Sequence, residues 1–178
     1  YSPVQVEESA WRSAFLSAKD EYIDGGYAFY FTAGEHMLTL ESMQEGIRIG
    51  GITLCQEATP PAYRDYLAEY AAEGLTPETV EAPVQYLEGE DAVYKSHSTL
   101  YATADYSSCI TRPYDVYHSL LNTIGGENWS TKGQWIEWNF DVETAGFYQV
   151  VFRYKQNYKS GSFSVRQLTV DGEIPFSE

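Results

Sequence analysis

The stretch Trp135-Ile136-Glu137-Trp138-Asn139-Phe140-Asp141-Val142 decides how the chain reads. Ile136, Trp138, Phe140 and Val142 fall on one side of a two-residue repeat, with Trp135, Glu137, Asn139 and Asp141 on the other. That is the alternation of a half-buried strand. Downstream, Thr144-Ala145-Gly146 supplies a turn, and Tyr148, Val150, Phe152 and Tyr154 alternate again. Phe163 to Val170 is a further strand, ended by Asp171-Gly172. Upstream, Tyr27 to Phe31 and His36 to Leu40 flank Gly34 as a hairpin. Ile47, Ile49, Ile52 and Leu54 alternate around Gly50-Gly51, a pair that predicts a bulge or bend. Val84 to Glu88 opens the later strand group. About eight strands with turn signals between them predict an antiparallel sandwich.

Between the two strand-rich regions the composition changes. Residues 57–83 hold Pro60-Pro61, Gly74, Pro77 and Pro83, and the stretch 57–91 carries 9 acidic groups against one basic group, Arg64. This is an acidic connector containing one helix. Pro60 and Pro61 open it, and Tyr63, Leu67 and Tyr70 recur on one face. Gly74 closes it in the left-handed conformation.

With 178 residues the chain suits one domain or two very small ones. Its 11 Lys and Arg against 26 Asp and Glu leave a formal net charge of −15. Such a field repels phosphate backbones, and no basic patch interrupts it, which argues against nucleic-acid binding. A hydrophobic content of 43% is too high for a disordered acidic tail. No apolar run reaches the roughly 18 residues of a membrane span. Cys55 and Cys109 supply neither a disulfide framework nor a metal-site spacing; two separate buried thiols are expected, with a single bridge between them the alternative. The opening at Tyr1 and the close soon after an Asp-Gly turn read as a piece of a longer parent chain.

The run Gly133 to Val142, followed by Ala145-Gly146-Phe147-Tyr148 and Val151-Phe152-Arg153-Tyr154, resembles the core of the galactose-binding-like jelly-roll modules. It is similar in particular to carbohydrate-binding modules that open with Glu-x-Glu-x-Ala, for which Glu88-Gly89-Glu90-Asp91-Ala92 stands here. Arg166 to Gly172 resembles the strand and Asp-Gly turn at the middle of such modules. Phe31 to Leu40 and Ile47 to Leu54 resemble their closing half, which therefore comes first in this chain. The resemblance implies an all-β fold: an antiparallel β-sandwich (jelly roll, galactose-binding-like) with its halves in permuted order and one connector helix. Residues 1–56 would be the closing half, 57–83 the connector and 84–178 the opening half, the two halves forming one domain. Tandem modules of this type precede the solute-binding region of some extracellular lipoproteins of bacterial ABC importers. That implies a secreted or surface-anchored bacterial protein, an extracellular or cell-surface location, and a glycan or oligosaccharide partner. The expected role is a non-catalytic carbohydrate-binding-like module. The alternative is a structural spacer or docking module with no ligand of its own.

Enzyme signatures do not occur: the chain has no Gly-x-Ser-x-Gly elbow, His-Glu-x-x-His, phosphate loop or dinucleotide fingerprint. His36, His97 and His118 are scattered, and His36 alternates with Leu38 and Leu40 as a packed structural histidine. The aromatic residues are the better clue. Sugars offer C–H faces that stack on Trp and Tyr rings, while amides and carboxylates bind the hydroxyls. Trp135 lies one residue off the core face of its strand. The loop from Tyr106 to Trp129 carries Tyr106, Tyr114, Tyr117, Asn122, Asn128 and Trp129 around Gly125-Gly126, a plausible binding rim. The candidate ligand-binding residues are Trp135, Trp129, Tyr106, Tyr114, Asn122 and Asn128; the competing reading has these rings capping the open end of a core. No cofactor is required. A structural calcium, which the resemblance implies, would rest on Glu88 and Glu90, two residues apart on an expected strand and so on one face. The final strand, Ile49 to Leu54, lacks the Asp that usually joins them. Arg48 or Arg153 is the competing partner for their charge.

Overall fold

The computed structural model describes residues 4–16, 26–43, 46–56, 59–77, 85–156, 161 and 163–177. The chain divides into two compact units, Tyr1–Gln56 and Glu57–Glu178.

The earlier unit has no helix or strand among its described residues. Rings set against glycines organise it instead. Phe15 covers Gly26 so closely that an added Cβ would meet the Phe15 Cβ at 2.6 Å, and Trp11 covers Gly50, where a Cβ would meet the indole at 3.0 Å. Tyr27 donates its N–H to the Leu16 carbonyl at 2.7 Å. The expected hairpin turn around Gly34 is held by a side chain rather than a ladder. His36 Nε2 donates to the Thr32 carbonyl at 2.9 Å, and its ring meets Phe31 edge-on with 5.3 Å between centroids.

The later unit contains α1, Tyr63–Ala72. Ala62, extended at its N-cap, accepts the N–H groups of Asp65 and Tyr66. At the other end Gly74 takes φ +81°. There Leu75 N–H bonds back to the Tyr70 carbonyl and Gly74 N–H to the Ala71 carbonyl, both at 3.0 Å. This paired closure satisfies carbonyls the helix would otherwise leave open. Tyr63, Tyr66 and Tyr70 form a ring face. Phe176 packs 5.0 Å from Tyr63 and 5.5 Å from Tyr66, and Phe147 packs 5.5 Å from Tyr70. Ser177 N–H donates to the Pro61 carbonyl at 2.9 Å, fastening this end of the chain beside the start of α1. The chain reverses just before, at Asp171 (φ +53°) and Gly172 (φ +85°). Val170 and Glu173 exchange backbone hydrogen bonds of 2.9 and 3.0 Å across that turn. Two positive φ values in a two-residue loop match the right-handed twist of the chain on either side.

Four short strands follow α1 in the chain. β1 (Tyr94–Lys95) pairs antiparallel with β4 (Ile136–Glu137), and β2 (Ala102–Thr103) pairs antiparallel with β3 (Thr123–Ile124). One-turn helices at Gly89–Asp91 and Gly126–Asn128 complete the regular structure. The buried centre is small. Among the described residues Leu100 is the fully buried hydrophobic side chain, with Asn122, at 6% exposure, the buried polar one.

The expected antiparallel β-sandwich, a jelly roll with permuted halves, is therefore overturned. The described residues form four two-residue strands in two separate two-stranded sheets, with one α-helix and otherwise mostly irregular chain. Alternation decides which side of an extended segment is apolar, but it does not supply a neighbour for the backbone N–H and C=O groups. Of Trp135 to Val142, Ile136 and Glu137 pair as strand, whereas Phe140 and Val142 are more than half exposed. Tyr148, Val150, Phe152 and Tyr154, expected on a core face, are all exposed. The strand expected at 163–170 keeps the single bridge at Val170. Val84 and residues 78–83 of the connector lie outside the described residues.

Candidate functional site

The chain between β2 and β3, residues 104–122, leaves and re-enters the small core at one place. Asn122 N–H donates to the Thr103 carbonyl at 3.0 Å, and the Thr103 and Thr123 hydroxyls lie 3.0 Å apart, so the two ends meet. The Asn122 side chain then holds the loop from beneath. Its Oδ1 accepts Asp105 N–H at 2.7 Å, and its Nδ2 donates to the carbonyls of Asp105 and Pro113 at 3.0 Å each. An amide with both ends bonded is a stable occupant of a buried position.

A second clamp comes from the segment after the Trp-rich stretch. Lys155 Nζ meets Asp105 Oδ2 at 2.7 Å and Ser107 Oγ at 2.6 Å, while Asp105 Oδ1 accepts Ser107 N–H at 2.7 Å. The Lys155 ammonium, helped by Ser107, holds the Asp105 carboxyl down to about 2 from its usual 3.8. Arg153, two residues before Lys155, donates to the Ile110 carbonyl at 3.1 Å. Residues 105–113 are thereby pinned at three carbonyls, one amide, one hydroxyl and one carboxylate.

Beyond the pinned part the chain displays side chains. Tyr106, Tyr114, Asp115, Val116, Tyr117, His118 and Ser119 line an open cleft of about 270 Å³. Asp115 folds this rim on itself: its Oδ1 accepts the N–H groups of Tyr117 at 2.7 Å and His118 at 3.0 Å and lies 3.1 Å from His118 Nδ1. The Tyr117 N–H, with the His118 ring and N–H, holds the Asp115 carboxyl below the usual range. Tyr117 is 90% exposed at the lip.

Of the residues expected to bind ligand, the structure brings Tyr106 and Tyr114 into this cleft and places Asn122 under the loop that carries it. Asn128, Trp129 and Trp135 do not line it. Asn128 is exposed on the one-turn helix Gly126–Asn128. Trp129 donates Nε1–H to the Gln134 carbonyl at 3.1 Å. The Arg166 guanidinium sits 4.5 Å from its ring centroid and also bonds its carbonyl at 2.8 Å. Trp135 is half-buried, with its N–H on Ser96 Oγ at 2.9 Å. Asp115 and His118 were not singled out for the site from the sequence. The signal that would have found them is an Asp whose carboxylate can take the amides two and three residues on.

Glu88 and Glu90 do not share a strand face, which corrects the geometry expected for calcium: Gly89–Asp91 is a helical turn with Glu88 extended before it. The carbonyls of Glu88 and Gly89 both accept Trp138 Nε1–H at 3.2 Å. Glu90 Oε2 is buried without a hydrogen-bond partner. Burial pushes the Glu90 carboxyl up, and the charges of Glu88 and Asp91 add to this. No group of three or more His, Cys, Asp or Glu side chains among the described residues could hold a metal ion. Cys55 and Cys109 are unbridged and exposed, whereas buried thiols were expected. No helix among the described residues is long and apolar enough to cross a membrane. No family model matches the chain, and no curated protein or solved structure is significantly similar to it, so the resemblance to sugar-binding modules rests on its residues alone.

Proposed function

We propose that the chain is a non-catalytic carbohydrate-binding module of a secreted or surface-anchored bacterial protein, and that the tyrosine-lined cleft takes the saccharide. The observation that carries this reading is the lining itself: three phenol rings, a carboxylate, an imidazole and a hydroxyl meet on a rim whose base is pinned by Asn122 and Lys155. Rings stack on the C–H faces of a sugar while the polar groups take its hydroxyls. A cleft of about 270 Å³ falls below the roughly 300–1,000 Å³ of an enclosing ligand pocket, which suits one ring or the end of a chain. Two or three stacking contacts of about 0.5–1.5 kcal/mol each add to the apolar area the rings cover, and once the cost of association is met the affinity is millimolar at best.

Titration of the intact chain with a panel of oligosaccharides, followed by NMR of the Tyr106, Tyr114 and Tyr117 rings, tests the reading. Millimolar saccharide should shift those rings, and Tyr114→Ala and Tyr117→Ala should each weaken the response several-fold. A panel that leaves all three rings unmoved would refute the reading.

A second reading, a docking or spacer module without a ligand of its own, draws on the exposed apolar side chains. Met37 at 93% and Ile47 at 81% exposure in the earlier unit, and separately Val151 at 86% in the later one, are apolar side chains that a partner would cover. Under that reading the saccharide panel stays silent.

A further inference from the structure

We propose that Asp115 makes the tyrosine cleft select saccharides by charge, admitting uncharged and amino-sugar chains and turning away those that carry uronate or sulfate groups. This rests on the saccharide reading above and adds the class of ligand. Asp115 is the one carboxylate in the lining, and its side chain is 38% exposed. The two nearby N–H groups and the His118 ring all fall on Oδ1. Hydrogen bonds of this kind favour the ionised form, so Asp115 itself is a carboxylate at neutral pH.

No Lys or Arg lines the cleft to offset it, and the His118 imidazole on Oδ1 is the one lining group that can take up a positive charge. Lys155, beneath the same loop, is committed to Asp105 and Ser107, and Arg153 to the Ile110 carbonyl. Arg112, close by in sequence, does not line the cleft. The later unit as a whole carries 8 basic and 18 acidic groups, so its long-range field has the same sign as Asp115. An anionic sugar therefore meets repulsion on approach and at contact, and an ammonium-bearing one meets attraction at both. For one exposed charge pair the contact part amounts to at most about fivefold in affinity.

The experiment compares three oligosaccharides of equal length on the intact chain: neutral galacto-oligosaccharide, oligogalacturonate and chitosan oligosaccharide. The readout is the shift of the Tyr114 and Tyr117 rings, recorded at low salt and at 1 M salt. The proposal expects chitosan oligosaccharide to bind at least as tightly as the neutral chain, and oligogalacturonate more weakly by up to about fivefold from the contact at low salt. The three should converge at 1 M salt. Asp115→Asn, whose amide oxygen can still accept both loop N–H groups, should shrink the neutral-to-anionic ratio, and Asp115→Glu should keep it. If the neutral and anionic chains bind equally at low salt, charge selection is overturned while the saccharide reading stands. If none of the three moves the tyrosine rings, the saccharide reading falls and takes charge selection with it.

Discussion

Replacing Asn122 tests the architecture of the cleft most directly. Its amide ends three hydrogen bonds, of 2.7, 3.0 and 3.0 Å, in a side chain only 6% exposed. At about 1 kcal/mol net for each bond, Asn122→Ala should cost about 3 kcal/mol. Asn122→Asp is the sharper variant because it keeps the shape. Its Oδ1 still accepts Asp105 N–H, but the former donor becomes an oxygen facing the carbonyls of Asp105 and Pro113. Two bonds are lost, about 2 kcal/mol, and the cost of burying a carboxylate against two acceptors adds to that. Protonation would restore one donor, so the Asp variant should gain on the Ala variant as pH falls. Urea unfolding followed by tryptophan fluorescence gives the stabilities, and hydrogen exchange of the Asp105 amide reports the loop itself. An Ala variant within about 0.5 kcal/mol of the parent, with the Asp105 amide still protected, would refute the role given to Asn122.

Three further outcomes follow. The Asp105 carboxyl is held at about 2 against the usual 3.8, so the stability it contributes is present above about pH 4 and is lost as pH falls through 2. Full conversion would give ~2.4 kcal/mol, but Lys155 is 46% exposed and screening leaves about 1 kcal/mol, which Lys155→Met should remove in an acid-unfolding series. Glu90 moves the other way: its raised carboxyl favours the folded state below 4.5 and loses that contribution as pH rises, so Glu90→Gln should flatten this limb and raise Tm at neutral pH. Gly125 has φ +99° and would set an added Cβ 3.0 Å from Trp129 Cε3, so Gly125→Ala should cost about 2 kcal/mol and alter the near-ultraviolet dichroism of Trp129.

What could be read from the sequence was local. The helix is bounded by Pro61 and Gly74, whose effects act within a turn, and the reversal at Asp171-Gly172 needs only those two residues. The sandwich was misread because strand alternation is also local while a ladder is not. Val150, Phe152 and Tyr154 alternate as a strand should, yet their segment is tied to the loop by the Arg153 and Lys155 side chains. Tyr106 and Tyr114 stood out as aromatics in a long loop. The Asp105–Lys155 pair spans 50 residues, and no spacing rule joins such partners. Asn122 was read as a ligand contact because its type suits sugars as well as it suits a buried staple, and only its surroundings tell the two uses apart.

The hydrogen bond from Ser177 to Pro61, with Phe176 seated on Tyr63 and Tyr66, has a practical consequence. Two points more than a hundred residues apart along the later unit stand side by side. In the later unit taken by itself, a short bridging peptide between them would close that unit into a ring, which could then be opened at an exposed site elsewhere. Opened outside residues 104–122, such a version would leave the loop that carries the tyrosine rim uncut.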